Sequence, residues 1–175
     1  MTTTQHQQHF EALLHEHRRI VFKVAGLYSR SVADREDLAQ EICVQLWRSF
    51  ARYDEKQAKF STWLYRIALN VAISQARRQH WSETERFEPL QPHHLETVAG
   101  GQTMGEPDER LTELYAFIGQ LDPLNRALVL LYLEDRPYTE MAEILGISET
   151  NVATKISRVK QKLRGQMTAK HTVGA

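Results

Sequence analysis

The sequence predicts an all-α protein: two small helical domains, a helical bundle and a helix-turn-helix, joined by a flexible acidic linker. Three observations predict it. Apolar residues recur at three- and four-residue steps through two long blocks, and β alternation is absent over any useful length. Pro and Gly thin out within those blocks and gather between them. Near the C-terminus come a lone glycine, a serine two residues later, and a run ending rich in Lys and Arg. The 175 residues suffice for two small domains, read here as 1–81 and 111–175 with a linker at 82–110.

The first block, roughly residues 7–80, reads as helix throughout and holds two informative helices. One runs from about Ala33 to Arg52. Leu38, Ile42, Leu46 and Phe50 step by four and face inward. Asp37, Glu41 and Arg48 fall on the opposite side with Val44 among them. An apolar Val framed by charges fits a docking face, and equally a solitary exposed Val. The other helix runs from about Ser61 to Gln79, with Leu64, Ile67, Ala68 and Val71 as its inner stripe. Arg66, Asn70 and Arg77 share its outer face, with Trp63 beside them. Rings interleaved with cations suit single-stranded nucleic acid, where bases stack and phosphates pair. Taken alone, the helix is read better as a bundle helix with Trp63 and Tyr65 partly in the core.

The middle segment, Ser82 to Glu109, holds Pro89, Pro92 and Pro107 with Gly100, Gly101 and Gly105. Its seven acidic residues and single Arg leave it strongly negative, and its apolar residues show no period.

The second block is helical from about Leu111. Asp122 before Pro123 supplies an N-cap and a proline at the first helical position. Leu124, Ala127, Leu128 and Leu131 follow as an apolar stripe. Met141, Ile144 and Leu145 form a short helix that Gly146 ends, because glycine adopts positive φ without steric cost. Ile147 points back to the core and Ser148 caps the next helix. There Val152, Ile156, Val159 and Leu163 line one side, and Asn151, Thr154, Lys155, Arg158 and Lys162 fall on the other. From Asn151 onward there are six Lys or Arg and no Asp or Glu. Such a face suits a major groove: Asn and Arg read base edges, while Lys and the helix N-terminus hold phosphates. Basic helices are common, so the turn, the cap and the preceding helix carry this reading, not charge alone.

Other classes find little support. Formal net charge is zero, with 22 basic and 22 acidic residues, unlike a nonspecific DNA coater. One cysteine, Cys43, excludes an internal disulfide framework and a Cys-based zinc site. His6 and His9, and the adjacent His93 and His94, lack partners at ligand spacing. No cofactor is called for, and no nucleophile–base pair or phosphate loop suggests an enzyme. The lack of a long apolar run and of a signal peptide predicts a cytoplasmic protein.

Three stretches in order, DREDLAQEICVQLW, FSTWLYRIALNVAISQARR and LDPLNRALVLLYLEDRPYTEMAEILGISETNVATKISRVKQKLR, resemble regions 2 and 4 of bacterial sigma factors. The short chain resembles the extracytoplasmic function (ECF) group. The resemblance implies a factor that binds core RNA polymerase and directs it to promoters, with no catalytic site of its own. Asp34–Trp47 is similar to region 2.2, which docks on the β′ coiled coil, and Asp37, Gln40, Glu41 and Trp47 match that motif beside Val44. Phe60–Arg78 is similar to the region that opens and reads the −10 element. Trp63, Arg66 and Asn70 are its candidates for contact with the melted non-template strand, and Arg77 and Arg78 for phosphate. The loop at about Tyr53–Lys59 would help capture a flipped base. The helix from Glu149 is similar to the region 4 recognition helix. The resemblance gives Ser148, Asn151, Thr154, Lys155, Arg158 and Lys162 to the duplex −35 element, and region 4 to the β flap. It also implies an anti-sigma factor as a partner and an acidic linker threading the polymerase channel. Pro137, Ala153, Lys155 and Ser74 depart from the family's usual residues, which bears on promoter sequence and not on class. The rival reading is a stand-alone helix-turn-helix regulator that binds duplex DNA without polymerase.

Overall fold

A computed structural model describes residues 3–82 and 108–173. Among these the regular structure is helical: α1 (Thr3–Tyr28), α2 (Val32–Phe50), α3 (Phe60–Ser82), α4 (Glu109–Gln120), α5 (Pro123–Leu133), α6 (Tyr138–Leu145) and α7 (Glu149–Val173). The expected acidic linker, with His93 and His94, lies almost wholly outside the described residues.

The first block folds as three helices: α1, then α2 and α3 close to the bounds expected for the two informative helices. Ser31 breaks it first: its hydroxyl accepts the Asp34 N–H at 3.1 Å and starts α2. The second break spans residues 51–59. There Asp54 accepts the backbone N–H of Lys56 at 2.9 Å and the Gln57 side-chain amide at 3.2 Å. These side chains offer the backbone a turn in place of helix. The three helices pack on one another as a bundle. Leu38, Ile42, Leu46 and Phe50 of α2 meet Leu64, Tyr65, Ala68 and Leu69 of α3 and Val21, Val24 and Ala25 of α1 in its core.

Caps set the second group of helices. Asp108 accepts from Arg110 N–H and starts α4 at Glu109. Asp122 accepts from Asn125 N–H at 2.9 Å with Pro123 in the first turn, as the sequence predicts. Pro137 precedes α6 without a side-chain cap, so α6 begins with its first N–H groups unassisted. Gly146 closes α6 at φ 66°, in the left-handed region. Ser148 then accepts from Asn151 N–H at 3.1 Å. Helices α5, α6 and α7 pack together, with Leu128, Leu131, Met141, Ile144, Val152 and Ile156 buried between them.

The two helix groups are not separate beads. Helices α5 and α6 pack on α3, and a single hydrophobic cluster runs from Phe10 to Val159.

Candidate polymerase and promoter interfaces

The outer face of α2 is built by its inner one. Four-residue spacing buries Leu38, Ile42, Leu46 and Phe50, which turns Asp37, Gln40, Glu41, Val44 and Trp47 outward together. All five are exposed, and Val44 and Trp47 keep 42% and 43% of their surface in water. Val44 has apolar neighbours. It lines an open, largely apolar groove of about 830 Å³ between α1 and α2, with Leu14, Val21, Phe22, Ala39 and Cys43. Phe22 is itself 42% exposed. Glu11, His15, Arg18, Glu36 and Gln40 add charge and polarity around them. An apolar floor among polar groups fits protein contact, since burying each such side chain contributes about 1.5–3 kcal/mol. Burial raises the Cys43 thiol above its usual range, so it behaves as a small apolar residue there. The α1 half of this groove was not read from the sequence. Its only signal is a Phe at position 22 lying off the inward stripe.

One end of the bundle is aromatic. Phe50 is the hub, with ring centroids 5.0 Å from Phe10, 5.9 Å from Tyr53 and 6.1 Å from Trp63. Trp47 lies 5.2 Å from Phe10, and Tyr53 5.0 Å from Trp63. The Tyr53 hydroxyl donates to the Ala58 carbonyl at 3.2 Å and braces the 51–59 loop internally, while its ring packs on Phe60 and Trp63 of α3. His6 and His9 pack their rings here, 4.7 and 5.8 Å from Phe50. The half-buried Trp63 therefore belongs partly to the core while bordering the loop. Arg66 and Asn70 stand exposed one and two turns further along α3, and Arg77 and Arg78 are exposed near its end. Rings at one end and cations along the same helix form a surface suited to an unstacked strand.

The helix-turn-helix supplies a second nucleic-acid surface. Val152, Ile156 and Val159 are buried, and Asn151, Thr154, Arg158 and Lys162 are exposed. Lys155 is half-buried. With Arg158 and Lys162 it borders a recess beside Leu121, Asp122 and Asn125 at the start of α5. Ser148 spends a lone pair on the cap, and its O–H can still donate to a phosphate. Thus five of the six expected residues are exposed along α7 and at its leading end, with Lys155 half-buried among them. A feature missed in the sequence lies at the far end of this group. Leu111, 46% exposed, joins Leu114, Phe117, Leu163 and Met167 around an apolar recess of about 290 Å³.

A chain that carries a basic helix-turn-helix, and a helical bundle with an aromatic, cationic helix, is built as a DNA-binding transcription protein. Comparison with known proteins narrows the class. Residues 13–82 match sigma-70 region 2 and residues 111–163 match sigma-70 region 4. The ECF RNA polymerase sigma factor SigE of Mycolicibacterium smegmatis is 32% identical over 93% of this chain and 63% of its own length. SigW of Bacillus subtilis is 32% identical over 78% of this chain and 77% of its own. The sigma-E factor of Escherichia coli K12 is 30% identical over 83% and 81%. CnrH, solved in complex with the cytosolic domain of CnrY, superimposes with a TM-score of 0.64 at 24% identity, covering 93% of this chain and 90% of that one. RpoE of Bartonella quintana, solved with the anti-sigma factor NepR, gives 0.64 at 18% identity, covering 93% and 96%. This chain belongs to the sigma-70 family of RNA polymerase sigma factors, in its ECF group. Matches to both regions in one chain decide against the stand-alone regulator.

Proposed function

We propose that this chain binds core RNA polymerase through α2 and directs it to promoters, with α3 reading the −10 element and α7 the −35 element. The observation that carries the reading is the pairing of two exposed faces in one chain. Asp37, Gln40, Glu41, Val44 and Trp47 form a protein-docking face, and Asn151, Thr154 and Arg158 form a groove-reading face. Neither face alone would distinguish the protein from a repressor or from an adaptor. The α1/α2 groove extends the docking surface for the β′ coiled coil. The recess around Leu111 and Phe117 is apolar enough to take a helix tip, such as that of the β flap. The chain supplies positioning, and bond formation belongs to the polymerase, so the protein works in the cytoplasm where polymerase is. CnrH was solved in complex with the cytosolic domain of CnrY and RpoE with the anti-sigma factor NepR, so an anti-sigma protein is the expected regulator here too.

Run-off transcription tests this. The protein, core polymerase and a pool of upstream fragments should give start sites that depend on the protein. Asp37→Ala/Glu41→Ala should weaken every promoter alike by lowering polymerase binding. Arg158→Ala should weaken promoters according to their −35 sequence. No initiation, together with tight polymerase-free binding to duplex sites, would overturn the reading.

A further inference from the structure

The recess between α5 and α7 has the makings of a phosphate site, with a carboxylate already in it. Lys155, Arg158 and Lys162 are spaced by three and four along α7, so one stripe brings all three to the same wall. The facing wall is the start of α5, and the space between them is about 160 Å³. An eleven-residue helix presents partial positive charge at that end. Three cations beside a helix N-terminus favour an anion.

Asp122 supplies that anion from within the chain. Its Oδ1 accepts the Asn125 backbone N–H at 2.9 Å, and its Oδ2 accepts from Asn125 Nδ2 at 2.5 Å. The carboxylate is thus fixed at the recess, and it takes the N–H that a phosphate oxygen would otherwise use. Asn125 lines the same recess, and its buried Oδ1 has no hydrogen-bond partner. That oxygen is an acceptor too, so it offers a phosphate nothing.

A space of this volume is about 7 Å across, within the screening length of about 8 Å at physiological salt. The Asp122 charge therefore acts on all three cations and on any phosphate near them. Phosphate contacts carry sequence-independent binding to duplex DNA, whereas base contacts specify. A carboxylate that discounts the first term leaves Asn151 and Arg158 to decide by the second.

We propose that Asp122 is a specificity-determining residue of the promoter-reading surface. It keeps a DNA phosphate from settling among Lys155, Arg158 and Lys162, so that contact with base edges governs where α7 binds. This deepens the reading of α7 as the −35 reader and rests on it. Capping of α5 is a separate duty of the same side chain.

Asp122→Asn separates the two duties. Asn caps a helix about as well as Asp, so the urea midpoint should hold while the charge is gone. Asp122→Ser does the same without adding an amide, and Asp122→Glu keeps the charge. Each full-length variant is bound to core polymerase, and its affinity for two linear duplexes is measured across a range of salt. One duplex is a promoter found by run-off transcription, and the other has its −35 element scrambled. One added phosphate contact steepens the log–log salt slope by about 0.9 and tightens binding about fivefold at about 0.15 M salt. Asp122→Asn and Asp122→Ser should both show that gain on the scrambled duplex. The gain should be smaller on the intact promoter, where Arg158 is committed to a base, so the ratio of the two affinities falls. Asp122→Glu should keep the wild-type slope and ratio. An unchanged slope in the two neutral variants, or an equal gain on both duplexes, would overturn the proposal. A slope equally steep in Asp122→Glu would trace the effect to the cap and overturn it as well. Wild type that binds both duplexes equally would instead count against α7 as the −35 reader, with phosphate exclusion by Asp122 still judged from the slope.

Discussion

Three residues show how local chemistry fixes the DNA-reading helix. Gly146 holds φ 66°, and a Cβ placed there would meet nothing within 4 Å. The cost of Gly146→Ala is therefore backbone strain rather than collision, about 1–2 kcal/mol, and should appear as a lower midpoint in urea with the helix content unchanged. Ser148 caps α7 through Asn151 N–H, so Ser148→Ala should lose about 1 kcal/mol in the same measurement. Arg158 is exposed and carries no comparable structural duty. Arg158→Ala should leave the urea midpoint where it is, yet cost about 1–3 kcal/mol at promoters whose base it reads. Band-shift or run-off comparison across −35 variants would expose that split. Equal loss at every sequence would make Arg158 a phosphate contact instead.

Helix α2 shows the same division of labour along an element. Its inner face is fixed by four-residue spacing, and its outer face is freed by it. Val44→Asp should therefore abolish co-elution with core polymerase while leaving thermal unfolding within a degree or two. A charge at that exposed site buries nothing in the free protein, but it would be desolvated against a partner. The recess at the C-terminal half of α7 offers a parallel case. Leu111→Asp should weaken polymerase-dependent initiation from −35-dependent promoters and leave binding of the −35 duplex by α7 intact.

At the scale of the molecule, the contact between the two helix groups has a pH signature. Burial raises the phenols of both Tyr28 and Tyr65 above their ordinary value of about 10. The Arg126 charge partly offsets this at Tyr28, and the Arg136 charge does so at Tyr65. A phenol whose folded pKa exceeds its unfolded one stabilises the fold fully below the unfolded value. That contribution is lost as pH rises through the folded value. Stability should hold to about pH 10 and fall above it. Tyr65→Phe should move the alkaline transition, followed by circular dichroism, to higher pH. An unchanged transition would mean another group controls it.

The sequence by itself determined the inward stripes and outward faces of α2, α3 and α7 and the helix ends at Asp122, Gly146 and Ser148, because each is local. Asp122-Pro123, Gly146 and Ser148 act within a turn, and periods of three and four residues place Asp37, Val44, Arg66 and Arg158 outside without knowledge of any neighbour. The breaks at residues 29–31 and 51–59 were harder to read, because they depend on single side-chain turns set in otherwise helical sequence. What only the tertiary structure decided is what the faces lie against. Phe22 becomes half of a groove because α1 runs beside α2. Trp63 joins an aromatic end because the 51–59 loop folds back onto α3. Arg126 is buried against a carbonyl from position 27. Periodicity reports whether a side chain turns inward. It carries no information on a partner some hundred residues away, whose position is set by packing and by carbonyls that their own helix leaves unpaired.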